Sequence, residues 1–182
     1  MRHLPNFITG LRIVFTPLIV WQLTTGHFLR ALVLLVVAGI SDALDGSLAR
    51  AFGWSSRAGA YLDPIADKLL LGAVYITLGL QMAVPWWLVV AVFSRDLAIL
   101  VGAVLLMVTA GRRGFSPSVW GKLSTLLQIT AAVAAMTHRI RPNLGLRPVL
   151  EVVFWLTLTM TIWSGLAYLW RAAQPQPSGQ PH

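Results

Sequence analysis

The composition of this 182-residue chain is that of an integral membrane protein, because 57% of its residues are hydrophobic and only 11% are charged, whereas about a quarter of a typical soluble domain is charged. The absence of cysteine excludes disulfides, thiolate metal sites and cysteine nucleophiles. The formal net charge of +8 comes from basic residues that are scattered between apolar runs. Because they form no single stripe, we expect membrane topology and anionic phosphates to account for the charge, with no nucleic-acid partner.

The apolar runs predict an all-α membrane protein with six transmembrane helices, each near the roughly 20 residues that a bilayer requires. Ahead of them, residues 1–12 carry basic and aromatic side chains around a proline, which predicts a short helix lying on the membrane surface. No small-residue cleavage site follows the first apolar run, so we do not expect a cleaved signal peptide. Pro17 predicts a bend in the first span. The spans are expected at about 8–25, 28–50, 59–82, 85–109, 118–137 and 146–170.

The Pro- and Gln-rich residues 173–182 are expected to be disordered, leaving residues 1–172 as a single transmembrane domain. Six spans place both termini on one side, and the basic residues indicate which side that is. The N-terminal side has Arg2, Arg12, Arg50, Arg57, Lys68, Arg112, Arg113, Lys122 and Arg171, and the other side has Arg30, Arg139, Arg141 and Arg147. This bias predicts a cytoplasmic N-terminus in a bacterial inner (plasma) membrane, although the cluster at 137–147 weakens it.

Four of the six acidic residues lie between positions 41 and 71, namely Asp42, Asp45, Asp63 and Asp67. A carboxylate in an apolar span is costly and by default indicates a functional site. The members of each pair are three or four residues apart, so each pair shares a helix face. Two adjacent antiparallel helices would bring both pairs to one point at the cytoplasmic end of the bundle. Structural ion pairing, for example of Asp67 with Lys68, is the alternative, but too few cations lie nearby to pair all four.

Carboxylates that converge in a poorly solvated site need a cation to neutralise them. An oxygen-only ligand set suits Mg²⁺ or Mn²⁺, with Ca²⁺ possible, better than zinc. Four carboxylates suit two divalent ions about 3.5–4 Å apart, an arrangement that recurs in phosphoryl-transfer enzymes. Small residues at Gly46, Ala49 and Gly59 would let a ligand approach the backbone closely. Arg50 could reach a phosphate oxygen, and its alternative role is that of a snorkelling interfacial anchor.

The aspartate stretch resembles the signature of the CDP-alcohol phosphotransferase (phosphatidyltransferase) family. Residues 42–50 read DALDGSLAR, and Gly59, Asp63 and Asp67 follow at the spacings of that signature. The resemblance extends to LPNFITGLRIVFTP near the N-terminus, to LDPIADKLLL and to GKLSTLLQ at 121–128. It implies a six-helix membrane enzyme, usually a homodimer, that transfers a phosphoalcohol from a CDP-linked lipid to an acceptor hydroxyl and releases CMP.

The resemblance also implies roles for individual residues. Asp42, Asp45 and Asp63 correspond to metal ligands, and Asp67 corresponds to the catalytic base and a possible ligand of the second metal. The CDP pocket would be shaped by Gly46, Ala49, Arg50 and Gly59.

The acceptor alcohol is less specified by the sequence. The phosphatidylglycerophosphate synthase branch uses CDP-diacylglycerol and glycerol-3-phosphate, and the cardiolipin synthase branch uses phosphatidylglycerol instead. Both acceptors carry phosphate, so the candidate acceptor-binding residues are cations: Lys122, Arg112, Arg113 and Arg95. The sequence Ser-Arg-Asp at 94–96 looks more like the cardiolipin branch, but Arg95 and Asp96 could equally form an intramembrane ion pair with no ligand.

Two other classes of function fit the composition. A small ion transporter could also keep carboxylates within the membrane, but it would be expected to have inverted repeats or broken helices around them, and neither is evident. A membrane scaffold without activity would not need the aspartate spacing. The enzyme hypothesis predicts metal-dependent release of CMP, which neither alternative does.

Overall fold

The computed structural model describes the backbone of residues 4–52, 57–110 and 119–173, and the side chains of residues 12–41, 68–102, 119–168 and 170. The described backbone is helical and contains no strand. Six α-helices follow one another, with one short 3₁₀ turn at Pro142–Leu144 before the last of them. They are α1 (Leu4–Thr24), α2 (Phe28–Phe52), α3 (Arg57–Leu80), α4 (Trp86–Ala110), α5 (Val119–Ile140) and α6 (Arg147–Ala173).

The predicted surface helix at 1–12 is wrong as a separate element, because α1 begins at Leu4 and continues without a break to Thr24. Pro5 lies in the first turn of α1, where a missing backbone N–H costs nothing, so a proline at this position is compatible with one continuous helix. Pro17 lies inside α1, and the bend expected there stays a prediction. The tail at 174–182 lies outside the described residues.

The six helices begin and end within a few residues of the predicted spans, because turn-forming residues occupy the connections. Gly26 has a φ of 77° just after α1, and Gly145 has a φ of 62° after the 3₁₀ turn. These left-handed conformations suit glycine, which has no Cβ. Pro85 precedes α4, and its rigid φ favours the start of a helix there. Short connections of this kind join antiparallel neighbours.

The packing places α1 against α2 and α3, while α5 contacts α2, α3 and α6, and α4 contacts α3 and α6. The two helices that carry the aspartates therefore share two neighbours, α1 and α5. Small residues make up most of the α5 face that enters this core, since four of its six buried residues are Ser124, Ala131, Ala132 and Ala135. Small side chains let helix backbones approach closely, as in membrane helix interfaces.

The helix ends meet in two groups at opposite ends of the bundle. Arg139 at the end of α5 lies over the ring of Phe28 at the start of α2, 5.7 Å from its centroid, and it also donates to the carbonyl of Gln81, just after α3. Trp87 at the start of α4 stacks on Trp155 near the start of α6, with centroids 5.1 Å apart. We call this the tryptophan end. The end of α2 and the start of α3 lie at the other end, which we call the aspartate end.

Large apolar side chains cover much of the outside of the bundle. Trp21, Leu80 and Val90 are each about 60% exposed or more, as expected for side chains that face lipid. Two helical segments, Val119–Ile140 and Arg147–Tyr168, are long and apolar enough to cross a membrane by length and composition. These features agree with the membrane class that the composition predicts.

Candidate active site

The backbone places both aspartate pairs at the aspartate end. Asp42 and Asp45 lie in the last three turns of α2, and Asp63 and Asp67 lie in the first three turns of α3. The helical spacing on which the shared-face prediction depends is therefore present. The side chains of all four lie outside the described residues, so their convergence on a metal stays a prediction. The same holds for the candidate CDP-pocket residues Gly46, Ala49, Arg50 and Gly59, which lie on the same two helical segments.

A buried ionic network begins one residue after Asp67. The Lys68 ammonium lies 2.5 Å from Oδ1 of Asp96 on α4, and the Arg95 guanidinium lies 2.6 Å from the same oxygen. Arg95 also donates through Nε to the Ser164 hydroxyl on α6 at 2.9 Å. The network thus joins α3, α4 and α6, and it fixes α4 and α6 against the segment of α3 that carries the predicted base.

The charged side chains of this network are largely shielded from solvent. The Arg95 side chain is 7% exposed and that of Asp96 is 12% exposed, while Lys68 is 30% exposed. A charge held this far from water must be paired. The ion pair that the sequence offers as one interpretation of Arg95 and Asp96 is present, and a role for Arg95 in acceptor binding stays a prediction.

Lys68 as the partner of Asp96 was not predicted from the sequence. The signal that could have found it is the occurrence of one acid and two bases at mid-depth in neighbouring apolar spans, since intramembrane charges generally pair with one another. The sequence reading had instead considered Lys68 as a partner for its chain neighbour Asp67. Choosing between these partners requires knowledge of which helices pack together.

A second buried polar group lies between α3 and α5. The Tyr75 hydroxyl donates to the backbone carbonyl of Gln128 at 2.8 Å, and Gln128 lies 3.5 Å from the Ser124 hydroxyl. Tyr75, Ser124 and Gln128 are all almost fully buried. Sequence reasoning missed this group, because single Tyr, Ser and Gln residues in an apolar span carry no distinctive spacing.

The remaining acceptor candidates lie on or beside the start of α5. Lys122 is in the first turn of α5 and is exposed, so its ammonium is accessible at the aspartate end. Arg112 and Arg113 lie outside the described residues. An apolar cavity of about 210 Å³ lies between α3 and α4, with Lys68 and Asp96 at one edge and Gly72, Tyr75 and Phe93 among its walls.

Comparison with known proteins gives matches along most of the chain. The CDP-alcohol phosphatidyltransferase family model matches residues 2–163. A Mycobacterium tuberculosis protein named "Probable phosphatidylglycerophosphate synthase" is 35% identical, over 93% of this chain and 81% of its own length. The CDP-diacylglycerol–glycerol-3-phosphate 3-phosphatidyltransferase of Bacillus subtilis is 31% identical, over 92% and 94% of the two chains. A Drosophila melanogaster protein named "Probable cardiolipin synthase (CMP-forming)" is 42% identical, over 53% of this chain and 30% of its own length.

Proposed function

This chain belongs to the CDP-alcohol phosphatidyltransferase family, and from that premise we propose that it transfers the phosphatidyl group of CDP-diacylglycerol to glycerol-3-phosphate. The products are phosphatidylglycerophosphate and CMP. The observation that carries the choice of acceptor is the match to the Bacillus subtilis glycerol-3-phosphate enzyme, which spans 92% of this chain and 94% of the relative. A match of that extent includes the helices around the site as well as the aspartate signature. A Mycobacterium tuberculosis protein named "Putative cardiolipin synthase" is matched over 91% of this chain but only 77% of its own length.

A second candidate acceptor is phosphatidylglycerol, which would make the product cardiolipin. The similarity to the Drosophila protein supports it, and so does the Ser-Arg-Asp sequence at 94–96. Against it, Asp96, the residue of that sequence that suggested this branch, accepts from Lys68 and Arg95 inside the protein, which gives it a structural role that does not depend on the acceptor. We therefore place glycerol-3-phosphate first.

The membrane arrangement we propose has all six helices crossing the bilayer, with both chain ends and the aspartate end on the cytoplasmic side of a bacterial plasma membrane. The two spans that pass the length and composition test, the exposed apolar exterior and the bias of basic residues support it. A soluble CMP could then leave to the cytoplasm while the lipid product stays in the bilayer. The apolar cavity between α3 and α4 offers space for part of an acyl chain. We also propose a homodimer, on the family resemblance.

The donor set at the aspartate end fits hard divalent cations, because it consists of carboxylates and the chain has no cysteine. We propose that Asp42, Asp45, Asp63 and Asp67 hold two Mg²⁺ or Mn²⁺ ions. When bound, such ions would neutralise the diphosphate and the charge that develops on the departing CMP.

The chemistry proposed for the protein's own groups is a single displacement. Asp67 accepts the proton of the acceptor hydroxyl, the hydroxyl oxygen bonds to the phosphorus that carries the diacylglycerol, and the bond from that phosphorus to the CMP oxygen breaks. Gly46, Ala49, Arg50 and Gly59 would shape the pocket for CDP. Lys122, with Arg112 and Arg113, would attract the phosphate of the acceptor. Arg95, being bonded internally, would act by holding α4 in place.

The test offers CDP-diacylglycerol to membranes that carry the protein, together with glycerol-3-phosphate, phosphatidylglycerol, inositol phosphate or serine in parallel. CMP release and the mass of the new lipid are measured with Mg²⁺ or Mn²⁺ and with chelator. We expect phosphatidylglycerophosphate to form in the presence of metal when glycerol-3-phosphate is the acceptor, and no new lipid to form with the other three acceptors. Cardiolipin formation would select the second acceptor, and the absence of CMP release with every acceptor would favour the ion-transporter alternative. Membranes carrying Asp67→Asn at the same protein level provide the matched control.

A further inference from the structure

The tryptophan end contains a cavity of about 550 Å³, which is within the usual size of a ligand pocket. The turn between α3 and α4, the end of α5 and the start of α6 form its walls. Its polar side chains are three bases and one acid: His138, Arg139, Arg147 and Glu151. Asp63 and Leu80 are 17 residues apart on α3, so at 1.5 Å per residue this end lies roughly 26 Å from the aspartates.

The cations of this cavity are positioned in different ways. Arg139 is held in place by the carbonyl of Gln81 and the ring of Phe28. Arg147 lies 3.7 Å from Glu151, but both side chains are well exposed, at 82% and 65%. An exposed pair of this kind contributes little to stability, so an anion can displace Glu151 from Arg147 at low cost.

An unsatisfied nitrogen adds an independent observation. Nδ1 of His138 is inaccessible to solvent and has no hydrogen-bond partner among the described residues. A buried polar atom without a partner is unfavourable. His138 lines the cavity, so a rotation of its ring would let an oxygen of a bound ligand accept from Nδ1 when that nitrogen carries the proton. Two guanidinium groups and one imidazole that line one cavity suit a phosphate group.

Aromatic side chains show at which depth the ligand would lie. Trp86, Trp87 and Trp155 line the cavity and are 44%, 42% and 60% exposed. Tryptophans with one face on protein and one free are typical of the membrane interface, where headgroups lie. Below them, exposed Val90 and Leu156 continue the apolar surface along which acyl chains can pack.

We propose that this cavity binds the phosphate headgroup of an anionic phospholipid from the leaflet opposite the active site. The proposal rests on the membrane arrangement given under the proposed function and does not depend on the reaction. The headgroup phosphate lies between Arg139 and Arg147 and accepts from His138, while the glycerol region contacts the stacked Trp87 and Trp155. The bound lipid joins α4, α5 and α6 at this end.

The test uses the purified full-length protein in a mild non-ionic detergent and counts bound lipids by native mass spectrometry. Phosphatidic acid is titrated in parallel with phosphatidylcholine of the same acyl chains and with inorganic phosphate alone. Phosphatidic acid is expected to bind at least tenfold more tightly than phosphatidylcholine. Arg147→Glu, which changes an exposed side chain, is expected to weaken that binding at least tenfold.

The matched control is Arg141→Glu, which reverses a nearby exposed charge that does not line the cavity and is expected to leave lipid binding unchanged. Arg139→Gln is the second variant and should weaken binding without reversing a charge. Equal affinity of Arg147→Glu and wild type for phosphatidic acid would overturn the proposal, as would an equal loss in both charge reversals. Binding of inorganic phosphate as tight as that of the lipid would instead identify a soluble-anion site.

CMP release is measured on the same samples as a separate readout. If Arg147→Glu does not weaken phosphatidic acid binding while CMP release is intact, the lipid site is refuted and the proposed function is not. Lipid binding that depends on Arg147 in a protein that releases no CMP would refute the proposed function alone.

Discussion

Replacing Asp96 with Asn tests the buried ionic network, because this one carboxylate neutralises two cations. Its Oδ1 lies 2.5 Å from Lys68 and 2.6 Å from Arg95. Asn keeps the shape but removes the charge, which leaves Arg95, only 7% exposed, as an uncompensated buried cation. Breaking a buried pair from one side costs about 3–5 kcal/mol. We expect Asp96→Asn to lower the free energy of unfolding by that amount.

Arg95→Met provides the contrasting variant. It removes one cation and leaves Asp96 paired with Lys68, so it should cost only the lost charged hydrogen bonds, about 1.5–3 kcal/mol. In the double variant the network contains no guanidinium, and Lys68, at 30% exposure, can turn toward water. The double variant should therefore lose less stability than the sum of the two single changes.

The assay is reversible unfolding in mixed micelles with increasing SDS, followed by the fluorescence of the eight tryptophans. Each variant is compared with wild type at the same detergent ratio. Equal destabilisation by Arg95→Met and Asp96→Asn, or strict additivity of the two changes, would contradict the assignment of Asp96 as the group that neutralises Arg95 and Lys68.

The other predictions concern the active site and the α3–α5 contact. Asp67→Asn is expected to abolish CMP release while CDP-lipid binding is retained, and near-normal turnover would remove Asp67 from the mechanism. Asp45→Ala should lose metal-dependent nucleotide binding together with activity, so an unchanged CDP affinity in a calorimetric titration would contradict its role as a ligand. Lys122→Ala should raise KM for glycerol-3-phosphate far more than KM for CDP-diacylglycerol, whereas equal effects would place Lys122 outside the acceptor site. Tyr75→Phe removes the donor to the Gln128 carbonyl and should lower the free energy of unfolding by about 1 kcal/mol in the same assay. An unchanged unfolding midpoint would show that this hydrogen bond contributes no net stability.

The positions of the helices could be predicted from the sequence because apolar run length and turn residues act locally. Gly26 can end a helix because glycine tolerates a positive φ. Pro85 favours a helix start because its φ is fixed. Both effects are independent of the residues that pack around them. The N-terminal element was wrong for a related reason. Pro5 was read as part of a separate surface segment, although a proline in the first turn is compatible with one long helix.

The partners of buried charges could not be predicted in the same way. Lys68 and Asp96 are 28 residues apart in the chain, and their contact depends on how α3 and α4 rotate about their axes. The sequence predicts that an intramembrane acid needs a cation but does not identify which one. The helical placement of the aspartate pairs could be predicted from the sequence, because the spacing of each pair lies within a single helix. The end of α2 and the start of α3 are only a few residues apart in the chain, so both pairs lie at the same end of the bundle.

The hydrogen bond from Arg95 to Ser164 has a consequence for how activity can be tuned. Helix α6 carries none of the candidate catalytic, metal or acceptor residues, yet through Ser164, Arg95, Asp96 and Lys68 it is linked side chain by side chain to the residue that follows the predicted base. A substitution of Ser164 is therefore expected to loosen Arg95 and, through Asp96, to affect the chain neighbour of the predicted base without touching a substrate. The last helix is thus a place where turnover can be adjusted independently of what the enzyme recognises.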